Sequence, residues 1–572
     1  MVVTYSTRKP TEFTNVEYWS IDGGGGNVTL LANGTQHEFV DGGPAKSVRY
    51  IHTTELTALA PGQKYFYRVG DGEAHWSVPF FFFAKRSPEQ VAAGPPLRMI
   101  AICDVGVEES AGLLKLIEAE LHGVPATVAA MARRDGGGGA GGDLASSHSD
   151  EDAFASFHPD GVFPDVLMQC GDFAYDLDTD DGKRGDLFLE LIQPIAAYVP
   201  YMVSPGNHES AYNFSHYANR FSMPGQGVAT SNQYYSFDLG PVHIVAYNAE
   251  AFFWPEHFDG EYIARMYRWL EDDLRAANGN RAAVPWVVVH AHRPFYCVET
   301  EKSAVELAKE ARDATFMEVM RRKMPKKLRM FGDSLLTKTP KSPKLTGHCE
   351  WEKEAARRGV PSQCAAANGL MCSQRAPGLD PELSALQAVA ASAASLSSVA
   401  AAVTTAAAAT VGEVGKGARF PIEALFYEYG VDVAFFGHEH AYERYYPVYD
   451  EQVMLDAGIT FGRYHAPRAT VHVTTGSGGN KNMDIGGKKP LRGACNDSSP
   501  WCAFQSGFDT HDGHSSDFTY GRLTVHNSTT LEWEQISAEE GGGVIDRFVI
   551  VAPTHGSFAA RAAAAAAAAA AA

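Results

Sequence analysis

The sequence predicts an α/β fold preceded by a small all-β sandwich domain. Residues 1–93 alternate short β-rich runs with turn clusters, and this spacing is typical of a β-sandwich. After Gly94-Pro95-Pro96 the pattern changes to strands that alternate with helices, which favours an α/β architecture. Polar residues directly follow several of these strands, at the edge where open α/β sheets bind their ligands.

Length and charge narrow the classes of function. At 572 residues the chain is too long for a single hydrophobic core, since domains average roughly 150 residues. The formal net charge of -20 offers no counter-charge to nucleic acid or to an anionic membrane. The alanine-rich end of the chain is too short and too weakly hydrophobic to span a bilayer. We therefore expect a soluble protein with neither a nucleic-acid partner nor a membrane partner.

The N-terminal part contains five predicted strands, at 2–6, 16–19, 47–52, 64–69 and 80–83. The first strand begins directly after Met1, without the charged start, apolar core and cleavage site of a signal peptide. A chain that begins inside a strand leaves a sheet edge unpaired. We therefore expect further residues upstream, including a signal peptide.

The N-glycosylation sequons and the cysteines give an indication of the cellular compartment in which the protein folds. Chance would supply about two N-glycosylation sequons, but the chain has five, which favours a secreted glycoprotein. They begin at Asn27, Asn33, Asn213, Asn496 and Asn527. Cys103 and Cys170 end predicted buried strands and are expected to be packed thiols. Cys495 and Cys502, close together in a loop, are a candidate disulfide.

Strands and helices alternate from residue 97 to residue 553. The apolar runs that predict buried strands lie at 97–103, 166–168, 201–203, 286–289 and 431–436. An antiparallel pair of strands is predicted at 234–238 and 242–247. Helices are predicted at 186–195, 261–274 and 422–429. Segments of biased composition predict inserts near 134–152 and 299–418, and an alanine-rich tail at 554–572.

Eight polar side chains follow five of these strands. They are Asp104, Asp172 with Tyr175, Asn207 with His208, His292, and His438 with His440. Carboxylate, imidazole, amide and phenolate ligands suit Fe, Zn or Mn. Even without His208, seven such ligands are too many for one ion, whereas two ions that share a carboxylate satisfy the count and serve in-line displacement at phosphorus. His243, His290 and His472 lie inside predicted strands and are expected to be core histidines.

These side chains occur in five motifs: Asp104-Val105-Gly106, Gly171-Asp172-Phe173-Ala174-Tyr175, Gly206-Asn207-His208-Glu209, Val289-His290-Ala291-His292 and Gly437-His438-Glu439-His440. In this order they resemble the motifs of the purple acid phosphatases, within the wider metallophosphoesterases. The resemblance covers nearly the whole chain apart from the two inserts and the tail. It implies a two-sheet αββα sandwich for residues 97–553 and a fibronectin-III-like sandwich for residues 1–93.

The resemblance also implies roles for the site residues. The ligands of a ferric ion would be Asp104, Asp172, Tyr175 and His440. The ligands of a divalent ion, Zn, Fe or Mn, would be Asp172, Asn207, His292 and His438, so that Asp172 bridges. His208 would face the substrate phosphate and help to protonate the leaving oxygen. Because a trivalent ion keeps bound water ionised at acid pH, metal-bound hydroxide would attack phosphate monoesters there.

Two positions depart from the family pattern. Cys103 stands where the first motif usually has glycine, which changes packing but leaves the carboxylate of Asp104. The paired histidines that follow the fourth motif in the plant enzymes are absent from 296–300, which affects recognition of the leaving group.

Three functions are compatible with these residues. The first is a secreted or vacuolar/lysosomal acid phosphatase acting on small phosphate esters. The second is a phosphodiesterase or nucleotide pyrophosphatase on the same metals, whose members usually lack the tyrosine found here at Tyr175. The third is a non-catalytic storage or binding protein, which would be expected to lose ligands, whereas all seven are present. The sequence therefore favours the acid phosphatase.

Overall fold

The computed structural model describes residues 1–20, 29–72, 75–121, 163–225, 232–253, 258, 260–297, 421–455, 458–480, 491–493, 495, 500–507 and 518–562. The predicted inserts and the last ten residues of the predicted tail lie outside this part of the chain. Within it, no helix is both long enough and apolar enough to cross a membrane.

Seven strands fill the N-terminal part: β1 (Val2–Thr7), β2 (Asn15–Trp19), β3 (Thr29–Asn33), β4 (Thr35–Val40), β5 (Val48–Glu55), β6 (Lys64–Gly70) and β7 (Phe80–Phe83). They form two antiparallel sheets, in the orders β1-β5-β4 and β3-β2-β6-β7. Tyr18, Tyr65 and Phe82 belong to their buried core. The sequence did not predict β3 and β4; β4 buries only Phe39 and therefore lacks an apolar pattern.

The remaining strands are β8 (Leu97–Ile102), β9 (Val166–Cys170), β10 (Tyr201–Ser204), β11 (Tyr235–Leu239), β12 (Val242–Ala246), β13 (Trp286–His290), β14 (Val433–Phe436), β15 (Tyr442–Tyr445), β16 (Val448–Tyr449), β17 (Gln452–Val453), β18 (Ile459–Thr460), β19 (Arg463–His465), β20 (Val471–Thr475), β21 (Leu491–Gly493), β22 (Cys502–Gly507), β23 (Thr519–Asn527), β24 (Thr530–Ser537) and β25 (Gly543–Val551). The helices are α1 (Pro88–Ala93), α2 (Ala111–Leu121), α3 (Lys183–Ala196), α4 (Ala211–Arg220), α5 (Glu250–Phe253), α6 (Gly260–Gly279) and α7 (Ile422–Tyr429). Every strand and helix predicted individually after residue 96 is confirmed, with ends shifted by a few residues.

Two eight-stranded sheets organise this second part of the chain. The first sheet has the order β10-β9-β8-β23-β24-β25-β19-β18, and the second has the order β11-β12-β13-β14-β20-β15-β22-β21. β8, β9 and β10 are parallel neighbours, and so are β12, β13, β14 and β20. The carboxyl ends of parallel neighbours meet at one edge of a sheet, so each sheet presents one group of loops there.

The two sheets pack face to face, with helices on both outer faces. Along β8, Met99 and Ala101 join the core between the sheets, whereas Ile100 and Ile102 join the core under α2, α3 and α4. The outer face of the second sheet packs on α6 and α7. The strands read as continuous apolar runs because both of their faces are buried. These layers confirm the predicted αββα sandwich.

Contacts between polar side chains join the N-terminal sheets to the rest of the chain. The guanidinium of Arg49 on β5 binds both carboxylate oxygens of Asp186 on α3, at 2.7 and 2.9 Å. Asp41 lies 2.8 Å from His216 on α4, and both side chains are buried. α4 directly follows the loop that carries Asn207 and His208, so the N-terminal part supports the helix behind that loop.

Two disulfides lie in the described part of the chain. The pair Cys495–Cys502 is the predicted one, with its Cα atoms 5.7 Å apart. The prediction of separate packed thiols at Cys103 and Cys170 is wrong, because these residues form a disulfide with Cα atoms 4.8 Å apart. Ile102 pairs with Gln169, so the next residues along the two parallel strands lie side by side.

Candidate metal centre

The eight predicted site residues converge where the carboxyl ends of the two sheets meet. Loops after β8, β9 and β10 of the first sheet carry Asp104, Asp172, Tyr175, Asn207 and His208. Loops after β13 and β14 of the second sheet carry His292, His438 and His440. Side chains from the two sheets lie within hydrogen-bond distance of each other, as Tyr175 does with His440 and Asn207 with His292. The site therefore lies between the two sheets. His290 in β13 and His472 in β20 are buried, as predicted. The prediction of a core histidine is wrong for His243 in β12, because this side chain is only partly buried and its ring nitrogens contact the carboxylates of Asp238 and Asp273.

One group of ligands contains Asp104, Asp172 and His440. One oxygen or nitrogen from each lies within 4.8 Å of the others, close enough to bind a single ion. The hydroxyl of Tyr175 lies 3.2 Å from Oδ1 of Asp104 and 3.1 Å from Nε2 of His440. The phenol therefore belongs to the same group.

The second group contains Asp172, His292 and His438, again with ligand atoms within 4.8 Å of one another. Oδ1 of Asn207 lies 3.1 Å from Nε2 of His292 and 3.1 Å from Nδ1 of His438. Asp172 is common to both groups, which is the arrangement expected of a carboxylate that bridges two ions.

Left-handed backbone conformations hold four of these side chains. The φ angles are 61° at Asp104, 53° at Asp172, 48° at Tyr175 and 70° at His438. Such angles are uncommon outside glycine and cluster at functional sites, because the surrounding structure must stabilise them. The strain indicates that these loops are shaped to aim their side chains.

Glycines allow the loops to approach one another closely. Gly171 has φ +85°, and a Cβ there would lie 2.4 Å from Nδ1 of His292. A Cβ on Gly206 would lie 2.4 Å from Oδ1 of Asp172. Both motif glycines are therefore required by contact with candidate ligands, and Gly171 is required by its positive φ as well.

Glu209 fastens two of these loops to each other. Its buried carboxylate accepts hydrogen bonds from the backbone N–H groups of Asp172, Phe173 and Gly206, each at 2.8 Å. Glu209 lies inside the third motif, but its role was not among those predicted from the sequence. Its contacts hold the carboxylate shared by the two groups against the loop that carries Asn207.

Burial and neighbouring charges shift the pKa values of three candidate ligands, Asp104, Asp172 and Tyr175. Burial raises the pKa of Asp104, against the opposite effect of the His440 and His292 imidazoles. Burial also acts on Asp172, but the neighbouring His292 and His208 outweigh it and hold the pKa of Asp172 below its ordinary value. Burial and the two carboxylates raise the pKa of Tyr175 well above its usual range, so a phenolate there requires a strong cation.

His208 is oriented by a residue that the sequence analysis missed. Nδ1 of His208 lies within hydrogen-bond distance of Oδ1 of Asp176, and Nε2 lies 3.8 Å from Oδ2 of Asp172. Although burial lowers the pKa of His208, Asp172 and Asp176 raise it to about 9. Asp176 directly follows the second motif, and its proximity to the motif was the available signal.

The donor set fits a pair of metal ions. Two groups of ligand atoms share one carboxylate, and all of their atoms are oxygen or nitrogen. Two buried carboxylates near each other are costly unless cations neutralise them. Oxygen and imidazole nitrogen ligands suit iron, zinc and manganese.

Family models match three parts of the chain. The model for "Purple acid Phosphatase, N-terminal domain" matches residues 1–83, and "Calcineurin-like phosphoesterase" matches residues 144–319. "Iron/zinc purple acid phosphatase-like protein C" matches residues 469–547. The first and third models name the family whose motifs the sequence resembles.

Relatives and a solved structure agree with these models. Acid phosphatase type 7 of Danio rerio is 31% identical over 565 residues, which cover 98% of this chain and 90% of that protein. Acid phosphatase type 7 of Homo sapiens is 28% identical over 97% of this chain and 89% of its own length. The structure of purple acid phosphatase PPD1 from yellow lupin (Lupinus luteus) seeds covers 96% of this chain and 72% of its own, at 17% identity and TM-score 0.55, and supports the fold. The chain therefore belongs to the purple acid phosphatase family.

Proposed function

We propose that this protein is an acid phosphatase that hydrolyses small phosphate monoesters at a binuclear metal centre. The observation that carries the proposal is the pair of ligand groups that share Asp172 between the carboxyl edges of the two sheets. A single shared carboxylate is what two adjacent ions require, and two-metal sites of this kind serve displacement at phosphorus.

We assign the ligands as follows. Asp104, Asp172, Tyr175 and His440 would hold a ferric ion, because carboxylate and phenolate oxygens favour a hard trivalent cation. Asp172, Asn207, His292 and His438 would hold a divalent ion, which is zinc, iron or manganese. The ions would together activate water as a nucleophile at acid pH and neutralise the phosphoryl oxygens.

His208 would supply the proton that the leaving group needs. Asp176 occupies Nδ1 of the ring, so Nε2 remains the nitrogen that serves the substrate side. The nearby carboxylates favour the imidazolium form, so His208 holds a proton under acid and neutral conditions. Transfer of that proton to the leaving oxygen avoids expulsion of an alkoxide.

The experiment that tests this function combines metal analysis with kinetics. The purified chain should contain two metal ions, at least one of them iron, and should hydrolyse 4-nitrophenyl phosphate at acid pH. Bis(4-nitrophenyl) phosphate, a diester, should be a much poorer substrate. A chain that holds no metal, or that prefers the diester, would contradict the assignment.

We further propose that the protein matures in an oxidising, secretory compartment and acts outside the cell or in a vacuole or lysosome. Asn33, Asn213 and Asn527 are exposed, as glycan attachment requires; the sequons at Asn27 and Asn496 lie outside the described residues. The two disulfides of the described chain also favour this compartment. Expression through a eukaryotic secretory pathway should give a protein whose mass falls on treatment with N-glycosidase. Substitution of the three exposed asparagines by glutamine should remove most of that shift.

A further inference from the structure

Arg293 is a buried cation next to the ligands assigned to the divalent ion. It directly follows His292 and is only 2% exposed. Nη1 of Arg293 lies 3.0 Å from Nε2 of His438, and Nη2 lies 3.4 Å from Oδ1 of Asn207. One guanidinium thus contacts two candidate ligands that come from different sheets.

Glu250 fixes the guanidinium in place. Nε of Arg293 donates to Oε1 of Glu250 at 2.8 Å, and the Glu250 side chain is 3% exposed. The backbone N–H of Glu250 donates to Oδ1 of Asn248, whose amide donates to Gln233. The cation is therefore attached to a rigid, hydrogen-bonded segment between β12 and α6.

The chemistry of the contacts suits a positioning role. Guanidinium N–H groups can only donate, and their planar fork fixes the directions of the hydrogen bonds to Glu250 and Asn207. The ligand that can accept is Oδ1 of Asn207, whereas an imidazole that binds a metal through Nδ1 carries its proton on Nε2, so the His438 ring only packs against Nη1. Glu250 also neutralises the guanidinium, which would otherwise repel a neighbouring metal cation.

We propose that Arg293, anchored by Glu250, is a positioning residue that sets Asn207 for the divalent ion. This inference rests on the proposed function. Asn207 is assigned to the divalent ion alone, so loss of Arg293 weakens the binding of that ion selectively and leaves the ferric ion in place. Residues that orient metal ligands typically change affinity by about 10- to 100-fold.

The test measures metal binding in Arg293→Lys, which keeps the positive charge but loses the fork. Zinc should bind the divalent position at least about tenfold more weakly by isothermal titration calorimetry. The iron content should match the wild type, and so should the visible absorption that a Tyr175 phenolate on ferric iron would give; added zinc should restore kcat. A merely structural role would instead lower the unfolding temperature and release both metals together.

A double variant and a matched control complete the experiment. Glu250→Gln with Arg293→Met removes both buried charges together, so it avoids an unpaired charge and keeps the chain folded. It should show the same selective loss of zinc. Arg281→Lys alters another buried arginine–carboxylate pair, with Asp432 at the opposite end of β13, and should leave zinc affinity unchanged.

The outcomes separate the inference from the function on which it rests. If folded Arg293→Lys and the double variant both bind zinc with wild-type affinity, the positioning role is wrong and the phosphatase assignment stands. If the wild type itself fails to hold iron and a divalent ion, the proposed metal centre is wrong and the inference is overturned with it.

Discussion

Nδ1 of His208 lies 2.5 Å from Oδ1 of Asp176. The carboxylate occupies one ring nitrogen and leaves the other, Nε2, beside Asp172. A carboxylate on one side of an imidazole stabilises the imidazolium and fixes the ring orientation. The pair therefore combines two functions, since it holds a proton and points it.

Replacement of Asp176 by asparagine should lower kcat by about 10- to 100-fold, because a neutral amide supports the imidazolium less well than a carboxylate. The loss should be larger for phenyl phosphate than for 4-nitrophenyl phosphate, since phenolate is the poorer leaving group and depends more on the proton. Steady-state kinetics with both substrates would measure the difference.

Asp180→Asn is the matched control for Asp176. Asp180 lies on the same segment, is exposed and pairs at the surface with Lys183, at 3.1 Å. It should leave kcat within about twofold of the wild type, as expected for an exposed pair. Equal losses with the two leaving groups in Asp176→Asn would rule out a role in proton delivery.

Asp172→Asn should release both metals and reduce activity by more than about 100-fold. An amide carries no charge and cannot bridge two cations as a carboxylate does. Metal content by mass spectrometry and turnover should fall together, with Asp180→Asn again as the control. A variant that retains two ions per chain and near-normal turnover would show that Asp172 does not bridge.

Tyr175→Phe should remove the visible absorption of the iron-loaded protein. Phenolate is electron-rich and Fe(III) is readily reduced, so light moves charge from one to the other. The divalent-ion ligands and His208 are unchanged in this variant, so part of the activity should survive. An absorption spectrum that is the same in wild type and variant, or an active iron-loaded wild type without a band, would exclude Tyr175 as a ligand.

His472 should make the fold sensitive to acid. Burial lowers the pKa of His472 to about 3, whereas the unfolded chain protonates it below about pH 6.5. The contribution of His472 to the free energy of unfolding is therefore fully present above about pH 6.5 and is lost as the pH falls toward 3. At about pH 5 this group lowers the free energy of unfolding by about 2 kcal/mol relative to neutral pH.

His472→Leu removes this titration, so its unfolding midpoint in urea should fall less between about pH 7.5 and pH 5 than that of the wild type. His526→Gln is the control, because His526 is exposed at the end of β23. That variant should follow the wild-type pH dependence. If His472→Leu loses as much stability on acidification as the wild type, His472 is not the group responsible.

Structure could be predicted best from the sequence where residues close together in the chain determine it. An apolar run that ends in a polar motif predicted both the strand and the candidate ligand after it, as at β14 followed by His438. It could not predict which strands are neighbours, because buried apolar runs are interchangeable in pattern. β8 pairs with β23, more than 400 residues further along the chain, and only the folded structure reveals this.

The residues that the sequence analysis missed all act through contacts between distant segments. Cys103 and Cys170 resemble ordinary buried thiols until the register of β8 and β9 places them side by side. Glu250 and Arg293 are separated by 43 residues and look like surface charges in the sequence. Their roles follow from packing, which no local pattern encodes.

Each group of candidate ligands contains residues from both eight-stranded sheets, so a pair of bound ions would hold the two sheets together. No partly folded chain with only one sheet in place could hold either ion with its full set of ligands. The free energy of metal binding is therefore available only to the completely assembled fold, and adds about 2.7 kcal/mol per ion when the free metal exceeds its dissociation constant 100-fold. A chelator that removed the ions would therefore weaken the packing between the two sheets before it lowered the stability of either sheet alone.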